Sequence, residues 1–151
     1  MPDYSNYNSR TYGEYGKIWR NTGKCVFCDL KDKYIIAEMD DVVLTVNIFP
    51  YIVGHLLIIP RRHFEAFEDM NDKEIVSIKK LADKGRQIIS ECTKSEHVWF
   101  LYRMARGYGS QKTVPHVHAH LIPYSDDLFK WEYQNIDTSP EEIAKEFRKK
   151  L

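Results

Sequence analysis

Short runs rich in β-branched and aromatic residues recur through the middle of the chain, each bounded by turn formers: Tyr34 to Ala37, Val42 to Asn47, Leu56 to Pro60, Val98 to Arg103 and His116 to Ile122. They predict five strands. Between the third and fourth, from Asp72 to Cys92, Ile75, Ile78, Leu81, Ala82, Ile88 and Ile89 recur at helical spacing with Lys and Asp on the opposite face. That period predicts one long amphipathic helix. A second helix is signalled at Ser139, where an N-cap serine, Pro140 at the first helical position and Glu142 as the capping-box partner precede Ile143 and Phe147. Few helices among hairpin-like strands predict an α+β fold: a five-stranded antiparallel sheet with one long helix and a C-terminal helix. Residues 1–23 carry Tyr4, Tyr7, Tyr12 and Tyr15 among Ser, Asn, Arg and Gly with no apolar period. They read as a mobile or wrapping arm before a single domain over 24–151, with a partner-binding tail as the alternative.

The 151 residues are 43% hydrophobic and 29% charged, which suits one domain with an ordinary core. Twenty-two basic residues balance twenty-two acidic ones, so the chain has no global field to attract a nucleic acid polymer or a membrane surface. Any anion it holds must meet a local site. The most apolar stretch, Ile52 to Pro60, is too short to span a bilayer, and the N-terminus lacks the basic start and apolar centre of a secretory signal. Three cysteines do not make an even disulfide framework, so the cytoplasm is the expected compartment.

Candidate chemistry is concentrated in His116-Val-His118-Ala-His120-Leu-Ile, where histidines alternate with apolar residues. On a strand, alternate side chains share a face about 6 to 7 Å apart, so the three imidazoles project together while Val117, Ala119 and Leu121 face the core. A merely polar strand face or a chelating tract would show the same alternation. The preceding segment, Gly107 to Thr113, offers amides, hydroxyls and an ammonium suited to phosphate oxygens. Cys25-x-x-Cys28 is open to three readings: a redox pair, half of a zinc site, or two buried thiols. No βαβ unit frames it, which counts against the redox pair.

The alternating histidines resemble the signature of the histidine-triad superfamily, and Asn47-Ile-Phe-Pro50-Tyr-Ile-Val-Gly54-His55-Leu-Leu-Ile-Ile-Pro60-Arg-Arg-His63 resembles the family's preceding block. With Cys25 and Cys28 the likeness spans about residues 24 to 125. It implies a nucleotide hydrolase or nucleotidyltransferase acting on a dinucleoside polyphosphate or a nucleoside phosphoramidate. His118 would be the nucleophile, forming a covalent nucleotidyl-histidine, and His120 would bond the phosphoryl or leaving-group oxygens. By the same likeness Asn47 binds the ribose, Val26, Phe27, Leu30 and Ile48 hold the base, Lys112 and Thr113 meet phosphate, and His55 stands beside the site. Leu30 and Ile48 suit ordinary core packing equally well. Cys25, Cys28, His63 and His116 would bind a structural zinc, and the family usually forms homodimers. The sequence departs from the pattern at Lys112, where glutamine is expected, and at Ala105, near the place of a phosphate-binding asparagine, with Arg103 and Arg106 flanking it. The added cations point to a more anionic substrate. Rival readings are a diadenosine polyphosphate phosphorylase, a non-catalytic nucleotide-binding or scaffold protein, and a plain metal-binding module.

Overall fold

Asp40 and Asp41 both take positive φ, 49° and 61°, the geometry of a two-residue type I′ turn. That turn folds β1 (Ile35–Met39) back on β2 (Val42–Val46), with Met39 opposite Val42. The computed structural model describes residues 14–107, 112–127 and 132–151. β2 continues through a loop to β3 (Leu56–Pro60), which matches its predicted limits, and Gly54 turns that loop at φ 91°. A Cβ on Gly54 would lie 2.8 Å from Thr93 Cγ2, so the turn needs glycine for space as well as for its dihedral. β4 (Val98–Tyr102) and β5 (Ala119–Pro123) complete an antiparallel sheet in the order β1-β2-β3-β5-β4. The α+β expectation holds, with β5 in the interior and β4 at an edge.

The two faces of the sheet bury different partners. On one, α2 (Asp72–Thr93) sets Ile78, Leu81 and Ile89 against Val42, Leu44, Leu56, Ile58, Ala119 and Leu121. Each such fully buried aliphatic side chain contributes about 1.5–3 kcal/mol relative to exposure. Gly85 brings the helix in close, since a Cβ there would stand 2.4 Å from Leu121 Cδ1 and 3.3 Å from Leu44 Cδ1. The helix begins in a capping box between Asn71 and Glu74, and the Glu74 carboxylate also takes both Arg62 Nε at 3.0 Å and Arg62 Nη2 at 2.8 Å. One side chain thus ties the start of α2 to the segment that follows β3. On the other face a 3-10 turn, Val26–Cys28, lays Cys25 and Phe27 on Leu57, Ile59 and Val114.

Three expectations are corrected or bounded. A helix, α1 (Glu14–Thr22), forms where no regular element is expected. Tyr15, Ile18 and Trp19 stand at helical spacing, and Thr22 Oγ1 donates to Ile18 O at 2.7 Å. Tyr4, Tyr7 and Tyr12 lie outside the described residues. β5 starts at Ala119 and not at His116. After Ile58 the two strands diverge, because the His116 ring donates to Pro60 O at 2.7 Å and Val117 N bonds Phe64 O at 2.8 Å, taking groups that a ladder would use. α3 (Pro140–Arg148) does begin at the Ser139–Glu142 capping box, and none of its residues is buried. No helix among the described residues is long and apolar enough to cross a membrane.

Candidate active site and metal cluster

The turn at Val26–Cys28, the end of the segment after β3 and the approach to β5 converge on one point. There Cys25, Cys28, His63 and His116 bring their ligand atoms within 4.8 Å of one another. Cys25 Sγ is 3.5 Å from His116 Nδ1, Cys28 Sγ is 3.3 Å from His63 Nδ1 and 3.6 Å from His116 Nδ1, and the two Nδ1 atoms are 3.1 Å apart. Zinc–sulfur bonds of about 2.3 Å and zinc–nitrogen bonds of about 2.0–2.1 Å in a tetrahedron require edges of roughly 3.3–3.8 Å. The contacts of 3.1–3.6 Å lie near that range and the donor set is two thiols and two imidazoles, so the cluster could hold a metal ion among four protein ligands. His116 has its ring N–H committed to Pro60 O, which leaves the Nδ1 lone pair facing the cluster. Desolvation, with Cys25 alongside, pushes the Cys28 thiol up to about 11, so a thiolate there calls for a cation.

The other two histidines of the motif face a different way. His118 Nδ1 donates to the backbone oxygen of His116 at 2.7 Å, so Nε2 carries the free lone pair. Its ring lies edge-on to Phe27 at 4.9 Å and to His120 at 4.9 Å. Burial holds His118 down at about 4 against an ordinary value of 6.5, which keeps the imidazole neutral and nucleophilic at physiological pH. His120 is held lower, at about 2, by burial and by His118, His55 and Arg103 around it. His120 Nδ1 meets His55 Nε2 at 2.9 Å, and Arg103 Nη1 donates to His120 Nε2 at 2.8 Å. At the far end of this relay Tyr51 N donates to His55 Nδ1 at 3.2 Å.

Donors stand at both ends of the His55–His120 pair: Arg103 Nη1 at His120 Nε2, and Tyr51 N together with the Asn47 amide, 3.3 Å away, at His55 Nδ1. Two neutral rings in contact cannot accept at both outer nitrogens and still place a single proton between the inner ones, so one outer contact goes unsatisfied as a hydrogen bond.

Phe27, whose ring meets His118, also lines a cavity of about 180 Å³ together with Val26, Leu30, Ile48, Leu57, Ile59, Thr45 and Ile18. Its largely apolar walls, linked to His118 through Phe27, suit a nucleobase. A larger hollow of about 420 Å³ lies under the opposite sheet face between α2 and β4, away from the histidines.

The HIT domain family model matches residues 30–127. This chain belongs to the HIT family. Among relatives, it is 31% identical over 116 residues to an uncharacterized HIT-like protein of Borreliella burgdorferi, covering 74% of this chain and 84% of that one. It is 31% identical over 123 residues to adenosine 5'-monophosphoramidase HINT3 of Danio rerio, 76% of this chain and 74% of that one. It is 29% identical over 101 residues to bis(5'-adenosyl)-triphosphatase of Dictyostelium discoideum, 67% and 64% of the two chains. A HIT family protein from Bacillus subtilis shares the fold, with a TM-score of 0.67 over 85% of this chain and 97% of that one at 23% identity.

Within this HIT domain the residues singled out from the sequence separate into groups. His118 and His120 stand together, while His116 turns away to the cysteines, so the three rings serve two sites and none is exposed. Val26, Phe27, Leu30 and Ile48 all reach the cavity. Asn47 is buried, its Oδ1 accepting from Phe49 N at 2.9 Å and its amide directed at His55. Lys112 is also buried and points its ammonium at backbone carbonyls, Glu65 O at 2.7 Å and Ala105 O. Thr113 is exposed, and Ser110 and Gln111 lie outside the described residues. Of the two flanking arginines, Arg106 pairs with Glu68 and Asp69 at 3.1 Å each, whereas Arg103 enters the histidine relay. Tyr51, Thr45 and Ile18 reach the site from positions that carry no signal in the sequence beyond an aromatic or apolar side chain.

Proposed function

We propose that the chain cleaves nucleotides at the α-phosphorus through a covalent nucleotidyl-histidine on His118, acting on a dinucleoside polyphosphate or a nucleoside phosphoramidate. The observation that carries this reading is the His118 Nδ1 bond to His116 O at 2.7 Å. It fixes the tautomer, keeps Nε2 aimed into the site and offers a carbonyl dipole to the imidazolium that forms when the ring is substituted. The base would lie in the cavity beside Phe27, with Asn47 near the ribose and Thr113 toward the phosphates; Lys112, its ammonium bonded to the Glu65 and Ala105 carbonyls, would brace that loop rather than meet phosphate. His118 Nε2 attacks phosphorus, and the bond to the leaving group breaks with its electron pair on the leaving atom. Water then attacks the same phosphorus, releasing the nucleoside monophosphate and the neutral ring. The substrates that name two of the relatives, an adenosine phosphoramidate and a diadenosine triphosphate, both contain this centre.

Cys25, Cys28, His63 and His116 would hold a structural zinc, which supplies rigidity and no reacting group because protein atoms fill all four positions. The protein would act as a homodimer joined along β4. Among the described residues that strand is an edge of the sheet, Phe100 on it is 53% exposed, and the apolar hollow between it and α2 offers a surface for a second copy. Three free cysteines among the described residues suit a reducing compartment such as the cytoplasm.

The test is AMP release from diadenosine tetraphosphate and from adenosine phosphoramidate by the native protein and by His118→Ala. The proposal expects turnover of one or both and a loss of roughly 10⁴-fold in the variant. Equal rates in the two proteins would sink it. Nucleoside diphosphate formed in proportion to added phosphate would reassign the second step to a phosphorylase.

A further inference from the structure

We infer that Arg103 makes this site selective for leaving groups that carry phosphate oxygens over leaving groups that depart as amines. It would do so by giving up its bond to His120 for one to the departing phosphate. The inference rests on the α-phosphorus reading above and adds to it the class of bond the enzyme favours.

Arg103 follows β4 directly and is half-buried. Among the described residues its hydrogen-bond partners are a neutral imidazole, His120 Nε2 at 2.8 Å, and a phenol, Tyr51 Oη at 3.2 Å. Its neighbour Arg106 is satisfied by two carboxylates and lies at the surface. A guanidinium next to the reacting ring, facing groups without charge, gains strongly from an arriving phosphate, whose oxygens match its fork and carry the opposite charge. The contact it would surrender is the weaker one.

In that exchange His120 Nε2 loses a cationic neighbour and is left facing the substrate, while its Nδ1 stays against His55 Nε2. A polyphosphate thus meets the guanidinium where charge develops.

The two bond classes make different demands. When the α-phosphorus to bridging-oxygen bond breaks, the electron pair stays on an oxygen already stabilised by its own phosphate, and the group departs as an anion needing no proton. When a phosphorus–nitrogen bond breaks, the leaving nitrogen must gain a proton to depart as an amine. An amine offers Arg103 no anionic oxygen to bind, and the guanidinium, always protonated, gives up no proton to a leaving nitrogen. Contacts to the α-phosphate are common to both substrates and cancel in the comparison.

The experiment is kcat/KM for diadenosine tetraphosphate and for adenosine phosphoramidate in the native protein, Arg103→Ala, Arg103→Gln and Arg103→Lys, with melting curves for each. The expected result is a native preference for the polyphosphate. The polyphosphate-to-phosphoramidate ratio should fall by about 100-fold in Arg103→Ala and Arg103→Gln, and Arg103→Lys should recover part of it. A parallel fall of both substrates with the ratio unmoved assigns Arg103 a structural role and overturns the inference. So does a native preference for the phosphoramidate, and in both cases the His118 reading stands. A native protein that cleaves neither substrate overturns the His118 reading together with this one.

Discussion

The backbone oxygen of His116 accepts the Nδ1 proton of His118 at 2.7 Å, while the His116 ring lies in the cysteine cluster and bonds Pro60 O through Nε2. The group that would bind metal and the group that would attack phosphorus are therefore joined through a single peptide carbonyl. Disturbing the first should misalign the second.

Metal removal makes that coupling measurable. Elemental analysis should find a single zinc per chain, and Cys25→Ala or His63→Ala should lose it. Chelation should lower Tm and reduce kcat more than KM, because the base cavity is built mainly from residues outside the cluster. Full activity in metal-free protein would refute the coupling.

The depressed histidine values fix a pH profile. With His118 held at about 4, about nine-tenths of it is still neutral at pH 5, where an ordinary imidazole at 6.5 would be almost wholly protonated. Activity should stay level from pH 7 down to about 5 and fall as pH approaches 4. Stability follows the same sign. The unfolded ring binds a proton below 6.5 and the folded one does not, so the stabilisation is complete above 6.5. It drains as pH falls toward 4, by up to roughly 3 kcal/mol. Urea midpoints at pH 7, 6 and 5 would show it, and a constant midpoint would contradict it.

Gly85→Ala tests the close contact under the sheet. Alanine is the better helix former by about 1 kcal/mol, but its Cβ would stand 2.4 Å from Leu121 Cδ1, and overpacking costs about 1–3 kcal/mol. Collision should win, lowering Tm by about 3–6 °C. A higher Tm would mean that Leu121 moves aside freely.

Phe100→Glu addresses the edge. Sedimentation should show the native protein as a dimer and the variant as a monomer with an unchanged circular dichroism spectrum. An unchanged dimer would place the interface elsewhere, and a native monomer would remove it.

Much of the frame is legible because it is written in local chemistry. The limits of α2 follow from apolar spacing, and the start of α3 from Ser139 and Glu142. The Asp40–Asp41 hairpin, by contrast, depends on φ values that a pair of aspartates only permits. The alternation of histidine and apolar residues predicts β5 from His116, because it cannot show that the His116 ring claims Pro60 O. α1 carries a faint signal, since one short polar helix stands out poorly beside a run of Ser, Asn and Gly. The Cys–His cluster is announced by Cys25-x-x-Cys28, and the family resemblance supplies His63 and His116, which the fold brings there from 35 and 88 residues away. Arg103 on His120 is purely a product of tertiary structure: β4 and β5 pair Leu101 with His120, and the chain just beyond β4 passes over the ring.

Leu121 presses on Gly85 while its neighbour His120 turns to the opposite side of the same strand. Chemistry and mechanical support are thus back to back, separated by the thickness of one backbone. A substitution in α2 would shift the strand that carries His120 by tilting five residues. If the proposed chemistry holds, a change in that helix would alter turnover without altering a residue set against the nucleotide.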